Sequence, residues 1–282
     1  MKLFTLFGIE VRLDFSVIFI FGLIVYSLGA AVFPSWHPNW PAATIWSMAV
    51  LAGLLFFSSL LAHEMSHSLV ARRFGIRVPR ITLFLFGGMA EIESEAETPG
   101  AEFAIAIAGP LMSLAIAFLC LTYAGAAVDE SLTDLLVEDP EAAMAEIGPF
   151  VTVCLWLGTV NLMLAIFNMV PGFPLDGGRV ARAAIWQLTG DRMRATQLAA
   201  NAGRMFGWLI MGLGFWELLL LKNMGGLWLI LIGWFLSHLA MQSYAATFTQ
   251  ARLEPLSVAE LMRTHFERVP ADATVACFVD EC

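Results

Sequence analysis

Long uncharged or nearly uncharged runs dominate the pattern of hydrophobic and polar positions along this 282-residue chain. A helix needs about 20 apolar residues to cross the hydrocarbon core of a bilayer, and most of these runs reach that length. The pattern therefore predicts six transmembrane helices. We expect them at residues 15–33, 43–62, 103–128, 147–171, 205–221 and 223–248.

Composition supports the same class of protein. Hydrophobic residues make up 59% of the chain and charged residues 14%, with a mean hydropathy of +0.76. A soluble globular domain carries about 25% charged residues, so we predict an integral membrane protein of the all-α class. The formal net charge of −9 comes mostly from one loop and the C-terminal tail, and it indicates no particular partner. We expect the lipid bilayer as surroundings and no nucleic-acid ligand.

The distribution of basic residues predicts the orientation of the chain. Fourteen of the fifteen Lys and Arg residues lie in the N-terminal segment, after the second or fourth predicted helix, or in the C-terminal tail. Only Lys222 lies in a loop on the other side, and the loop between the third and fourth helices is acidic. By the positive-inside rule, both termini are expected in the cytoplasm of a multi-pass plasma-membrane or inner-membrane protein.

The motif H-E-M-S-H at residues 63–67 follows the second apolar run directly. Its two histidines lie one helical turn apart on the same face, where both can bind one zinc ion. Glu64 between them is positioned to accept a proton from a zinc-bound water. A polar cluster with a purely structural role is the alternative, although ionisable groups in a membrane helix are costly and usually functional.

Asp176 is the candidate third ligand, because a hydrolytic zinc site needs three protein ligands and an open position. It follows the fourth apolar run in the segment N-M-V-P-G-F-P-L-D-G-G-R, where Pro171 and Pro174 break the helix. The predicted topology places Asp176 and His67 at similar depth. Asp before Gly-Gly is also a common turn residue, and this alternative stays open.

The segments H-E-M-S-H-S-L-V-A-R-R-F-G and N-M-V-P-G-F-P-L-D-G-G-R together resemble the site-2 protease family of intramembrane zinc metalloproteases. The resemblance implies that His63, His67 and Asp176 bind zinc and that Glu64 is the catalytic base. It further implies cleavage of a peptide bond in or near the transmembrane segment of a single-pass membrane protein. The same three ligands would also fit a non-catalytic zinc-binding receptor or scaffold, or a metal transporter.

Residues 80–92 predict a short β-hairpin or re-entrant segment between the second and third helices, because β-branched and aromatic residues are interrupted by Gly87 and Gly88. Family members have an edge strand here that pairs with the substrate backbone, a form of β-augmentation. A loop that only plugs the zinc cavity is the alternative. The candidate substrate-binding residues are Gly87, Gly88, Asn168 and Pro171; Asn168 could instead cap the broken end of its helix.

The chain is expected to have two parts, a six-helix metalloprotease domain at 1–250 and a connector with the start of a further domain at 251–282. Residues 257–275 resemble the opening helix and strand of a cystathionine-β-synthase (CBS) motif, which continues further in complete copies. We therefore expect the sequence to be truncated within a CBS domain. Complete tandem CBS motifs bind adenine nucleotides, so such a ligand is expected only for a longer chain.

Overall fold

The computed structural model describes residues 1–84, 87–91, 93–128, 135, 138–253 and 257. The chain divides into two compact units, Met1–Tyr244 and Ala245–Cys282, and the fold described below is that of the first, apart from the last residues of the final helix. The predicted boundary at residue 250 stays a prediction. The resemblance to a CBS motif falls almost entirely outside the described residues.

Helices make up most of the first unit. Helix α1 (Ser16–Ser27), a π-helical turn (Leu28–Val32) and α2 (Phe33–Trp36) follow one another without a break. The helices that follow are α3 (Ala42–Arg73), α4 (Pro99–Ala126), α5 (Pro140–Glu146), α6 (Pro149–Asn168), α7 (Asp176–Thr189), α8 (Arg192–Leu219) and α9 (Gly225–Leu253).

Five helical stretches within the described residues are long and apolar enough to cross a membrane. They are Ser16–Trp36, Ala42–Arg73, Pro99–Ala126, Pro149–Asn168 and Gly225–Thr249. This result confirms a multi-pass membrane protein but not the predicted count of six. The fifth predicted span, 205–221, is not among them, and it lies mainly in α8, whose first half carries Arg192, Arg194 and Arg204. Its apolar run alone would extend for only about 25 Å as a helix, short of a hydrocarbon core of about 30 Å.

A four-stranded sheet accompanies the helices, which is more β-structure than the sequence predicted. Strands β1 (Lys2–Leu6), β2 (Ile9–Leu13), β3 (Arg80–Phe84) and β4 (Gly87–Glu91) are neighbours in that order. The outer pairs are antiparallel and β2 runs parallel to β3. The N-terminal hairpin was missed, although Ile9, Val11 and Leu13 alternate with charged residues as a half-buried strand requires.

The sheet packs against the half of α3 that carries the H-E-M-S-H motif. Ile9, Val11, Ile81 and Leu83 form one hydrophobic cluster with the α3 residue Met65. Burying the apolar face of a small sheet against a helix gives it the support that isolated hairpins lack. The packing therefore places the C-terminal strand pair, β3–β4, beside the motif.

Helix α4 lies at the centre of the helical part, in contact with α3, α6 and α7. It begins after Thr98, whose side chain accepts a hydrogen bond from the Ala101 amide, as a helix N-cap does. Pro110 lies inside the helix, a position that membrane helices tolerate because neighbouring groups satisfy the freed backbone. The side chains of three other helices are thus arranged around a single central element.

Candidate metal centre

The two histidines of the motif point the same ring atom into one buried space. His63 and His67 are 3% and 5% exposed, and their Nε2 atoms lie 3.3 Å apart. Residues four apart on a helix are stacked on one face, so the sequence spacing alone explains this convergence. Both rings lie in the last third of α3, and His67 precedes the end of that helix at Arg73 by about 9 Å.

Asp176 completes a three-residue cluster. It is the first residue of α7, and its Oδ2 lies 3.2 Å from the Nε2 atoms of both His63 and His67. Two glycines after it allow this position. A Cβ at Gly177 would meet the Met169 carbonyl group at 2.4 Å, and one at Gly178 would meet the Gly172 backbone at 2.4 Å. The first turn of α7 can therefore pack directly on the loop that leads into it.

The cluster has the dimensions of a zinc site. Ligand atoms about 2.0–2.1 Å from a tetrahedral zinc ion are separated from one another by about 3.3–3.4 Å. The three separations here are 3.2, 3.2 and 3.3 Å, and the donors are two imidazole nitrogens and a carboxylate oxygen. These residues form a group that could hold a metal ion. The structure thus brings together the three predicted ligands, while their binding of zinc stays a prediction.

The other nitrogen of each imidazole is held by α4. His63 Nδ1 lies 2.8 Å from Ser113 Oγ, and His67 Nδ1 lies 2.6 Å from the Ile105 carbonyl oxygen. Because a carbonyl oxygen only accepts, His67 carries a proton on Nδ1, and Nε2 is the ring nitrogen that could bind a metal ion. Such contacts orient the rings of metal-binding histidines and select their tautomer. Gly109 leaves room between them, since a Cβ there would lie 2.1 Å from His67 Nε2.

The Glu64 side chain lies beside the two histidines on α3 and contacts strand β4 of the sheet. Its side chain is partly buried, and a Cβ at Gly88 would lie 2.2 Å from Glu64 Cγ. Only a glycine in β4 permits the strand to approach this closely. The backbone of β4 and the carboxylate predicted to be the base are therefore neighbours.

Comparison with known proteins assigns a family to this arrangement. The profile of Peptidase family M50 matches residues 51–211, which include all three candidate ligands and Glu64. The chain belongs to peptidase family M50. This finding confirms the predicted site-2 protease resemblance and the class of enzyme, a metalloprotease.

Individual relatives of this M50 protein carry zinc metalloprotease names. It is 37% identical to a protein of Synechocystis sp. over 98% of this chain and 68% of that one. Rip3 of Mycobacterium tuberculosis is 37% identical, over 96% and 65% of the two chains. Both of those names are provisional. The chain thus spans about two thirds of the length of these relatives. A solved structure, the site-2 protease from Methanocaldococcus jannaschii, matches with a TM-score of 0.53 and 26% identity, covering 86% of this chain and 94% of that one.

The candidate substrate-binding residues of the M50 protein occupy two places. Gly88 adjoins Glu64, whereas a side chain at Gly87 would meet nothing within 4 Å, and Gly87 has a positive φ of 137°. Asn168 is the last residue of α6, and its Nδ2 donates to the Leu164 carbonyl oxygen of the same helix. Pro171 is exposed in the following loop. Their contact with a substrate stays a prediction.

Sequence reasoning on this M50 protein missed the support that α4 gives to the ligands. In sequence, Gly109 and Ser113 are small residues that indicate only close helix packing, and the Ile105 carbonyl carries no signal. The spacing of Glu102, Ile105, Gly109 and Ser113 places all four on one face of α4. Glu102 and Ser113 on that face are polar residues in an apolar helix, and they were the available signal.

Proposed function

We propose that this M50 protein is an intramembrane zinc metalloprotease, which hydrolyses a peptide bond in or near the transmembrane segment of a membrane-protein substrate. One observation carries the proposal. The three converging ligand atoms, with Glu64 beside them, include two from α3, a helix long and apolar enough to span the bilayer. A site built on such a helix favours a substrate that is itself in the membrane.

His63, His67 and Asp176 would hold the zinc ion, which when bound lowers the pKa of a coordinated water to about 7 and polarises a carbonyl group. Glu64 then has two roles. It accepts the proton of the attacking water, and it delivers a proton to the amine that leaves. Ser113 and the Ile105 carbonyl keep the imidazoles oriented while this occurs.

Strand β4 offers a way to present the substrate. The carbonyl groups of a helical substrate are hydrogen-bonded within the helix, so the cleaved segment must become extended. Strand β4 is the last strand of the sheet in the described residues, and its Gly88 adjoins Glu64. Addition of the substrate to this edge as a further strand would place its backbone beside the base. Gly87, Asn168 and Pro171 are proposed to flank the same segment.

The sequence supports three further parts of the proposal, namely the kind of substrate, the orientation of the enzyme in the membrane and the domain boundary. We propose a single-pass substrate, cleaved towards the cytoplasmic side by a plasma-membrane or inner-membrane enzyme with both termini in the cytoplasm. We also propose a boundary near residue 250 between the catalytic domain and a CBS domain. Adenine nucleotides would then alter cleavage by a longer chain with complete CBS motifs and not cleavage by residues 1–282.

The decisive experiment measures cleavage and zinc content together. The purified chain in detergent should cleave a single-pass substrate, lose activity to a chelator and regain it with Zn²⁺. Glu64→Gln should keep its zinc and lose cleavage by at least about 10²–10⁴-fold, the usual contribution of a general acid–base group. Glu217→Gln is the matched control, because Glu217 lies in α8 against α9.

The same experiment separates the other readings. Cleavage retained in Glu64→Gln, or cleavage that ignores the chelator, would contradict the proposed mechanism. A zinc-loaded chain that cleaves none of a panel of membrane substrates would favour a receptor or scaffold. Zinc flux into proteoliposomes that requires His63 and His67 would favour a transporter.

A further inference from the structure

A buried ion pair connects α4 with α7 and has no part in the proposed chemistry. Glu102 is 0% exposed and Arg182 is 8% exposed. Arg182 Nε donates to Glu102 Oε1 at 2.5 Å, and a second guanidinium nitrogen contacts the same oxygen. Charged side chains are almost never fully buried without a partner, so each residue fixes the place of the other.

On α4, Glu102 belongs to the face that holds the histidines. The Ile105 carbonyl, which accepts from His67, lies one turn further along, and Ser113, which contacts His63, lies two turns beyond that. The same surface of one helix therefore sets the orientation of both imidazoles and binds Arg182. Helix α4 therefore orients two of the three candidate metal ligands, His63 and His67.

On α7, Arg182 lies six residues after Asp176, within the same 14-residue helix. Its guanidinium also lies over the Phe173 ring, 5.1 Å from the centroid, in the loop that leads into α7. Arg182 thus contacts the segment before Asp176 while it belongs to the helix after it. A helix is stiff over two turns, so fixing Arg182 on α4 fixes Asp176 as well.

We propose that Glu102 and Arg182 are positioning residues for the third metal ligand. Their ion pair holds α7 against α4 so that Asp176 Oδ2 lies where the two Nε2 atoms converge. Neither residue touches the metal. The inference rests on the proposed metal site and adds to it a link from Asp176 to the helix that already orients His63 and His67.

A double-mutant cycle tests this link, with Zn²⁺ affinity as the readout. Affinity is measured on the detergent-solubilised 282-residue chain by competition with a chelating dye. Glu102→Gln should weaken zinc binding about tenfold, the low end of the range for groups that support metal ligands. In an Asp176→Asn background the same change should weaken it by less than about twofold, because the ligand through which Glu102 acts is gone.

Two further variants complete the design. Glu10→Gln is the control, since Glu10 pairs with Lys2 and Arg12 in the N-terminal hairpin, and it should leave zinc affinity unchanged. If Glu102→Gln does not fold, Arg182→Lys keeps the charge but loses the planar fork that binds a carboxylate. It should give a smaller loss that again depends on Asp176.

The outcomes are distinct. An equal loss of affinity in both backgrounds would overturn the inference, because Glu102 would then act through the fold in general. Unchanged affinity in Glu102→Gln would overturn it as well. If the wild-type chain binds no zinc, or Asp176→Asn binds it as tightly as wild type, the proposed metal site itself fails and the inference fails with it.

Discussion

Two kinds of helix contact in this molecule differ in the groups that form them. Between α4 and its neighbours α3 and α7, polar groups make directed contacts: Ser113 with His63, the Ile105 carbonyl with His67, and Glu102 with Arg182. Between α8 and α9, glycines bring the backbones together. A Cβ at Gly207 would lie 2.6 Å from the Gly233 carbonyl oxygen, and one at Gly214 would lie 2.6 Å from that of Gly226.

The difference reflects what each contact must determine. Close backbone approach provides dispersion contacts between membrane helices, and small residues are sufficient for it. It sets a distance but does not orient a side chain. A metal site needs three ligand atoms placed to within about 0.5 Å, which requires hydrogen bonds and ion pairs around the ligands. The polar contacts should therefore control zinc affinity, and the glycine contacts should control helix packing alone.

The largest expected effect is at Gly109, where the metal centre itself depends on the absence of a side chain. In Gly109→Ala the new methyl group would lie 2.1 Å from His67 Nε2 and 2.5 Å from His63 Nε2, the atoms predicted to bind zinc. We expect zinc binding and cleavage to fall below detection, measured by metal analysis and a substrate assay. Gly125→Ala in the same helix meets nothing within 4 Å and should retain both. Zinc affinity within twofold of wild type in Gly109→Ala would contradict the placement of the rings.

Removing the hydroxyl that contacts His63 should have the next largest effect. Ser113 is fully buried, and Ser113→Ala leaves His63 Nδ1 without its hydrogen-bond partner. Partners of metal-binding histidines typically contribute about 10–100-fold to metal affinity, and we expect a loss in that range by chelator competition. Ser58→Ala is the control, because the Ser58 hydroxyl donates to the Leu54 carbonyl of its own helix. Equal affinity in the two variants would remove Ser113 from the metal site.

At the glycine contact we expect a loss of stability with no loss of zinc affinity. Gly207→Ala places a Cβ 2.6 Å from the Gly233 carbonyl oxygen and 2.8 Å from the Ser237 amide nitrogen. Overpacking of this kind typically costs about 1–3 kcal/mol, so the midpoint of thermal unfolding in detergent should fall. Gly212→Ala in the same helix has open space around its Cβ and should not lower it. A weakened zinc affinity in Gly207→Ala would show that the two contacts are not independent.

The grouping of His63, His67 and Asp176 could be predicted from sequence, because zinc chemistry constrains the spacing of residue types, while their binding of zinc stays a prediction. On a helix, two histidines four apart lie on one face and can share an ion, and Asp176 was the candidate third ligand at the same predicted depth. The apolar runs could be predicted equally well, except that residues 205–221 continue a helix whose first half carries Arg192, Arg194 and Arg204.

The supporting contacts of α4 could not be predicted in the same way. The Ile105 carbonyl is a backbone group that every residue has, and Gly109 is read as a packing residue until its neighbours are known. The partner of Glu102 is 80 residues away in the chain, and no local pattern indicates it. Tertiary contacts of this kind depend on how the helices are arranged, which residue spacing within one helix does not specify.

The smallest expected effect is at a polar contact between α6 and α3 that lies outside the candidate metal site. Asn161 of α6 is fully buried, and its Nδ2 donates to Ser59 Oγ of α3 at 3.1 Å, one turn before His63. A hydrogen bond between membrane helices contributes about 0.6 kcal/mol on average, so Asn161→Ala should lower the free energy of unfolding by about that amount. Its zinc affinity should change by less than about twofold, because the Asn161 amide nitrogen donates to Ser59 Oγ and to the Leu157 carbonyl oxygen and not to a candidate ligand.

Thr159→Ala is the matched control for this change, since Thr159 is exposed and its hydroxyl donates to the Leu155 carbonyl of its own helix. Thermal unfolding and chelator competition on both variants give the comparison. If Asn161→Ala weakened zinc binding as much as Ser113→Ala, the orientation of His63 would depend on α6 as well as on α4. The polar contacts that control the metal site would then extend through α3 to a third helix.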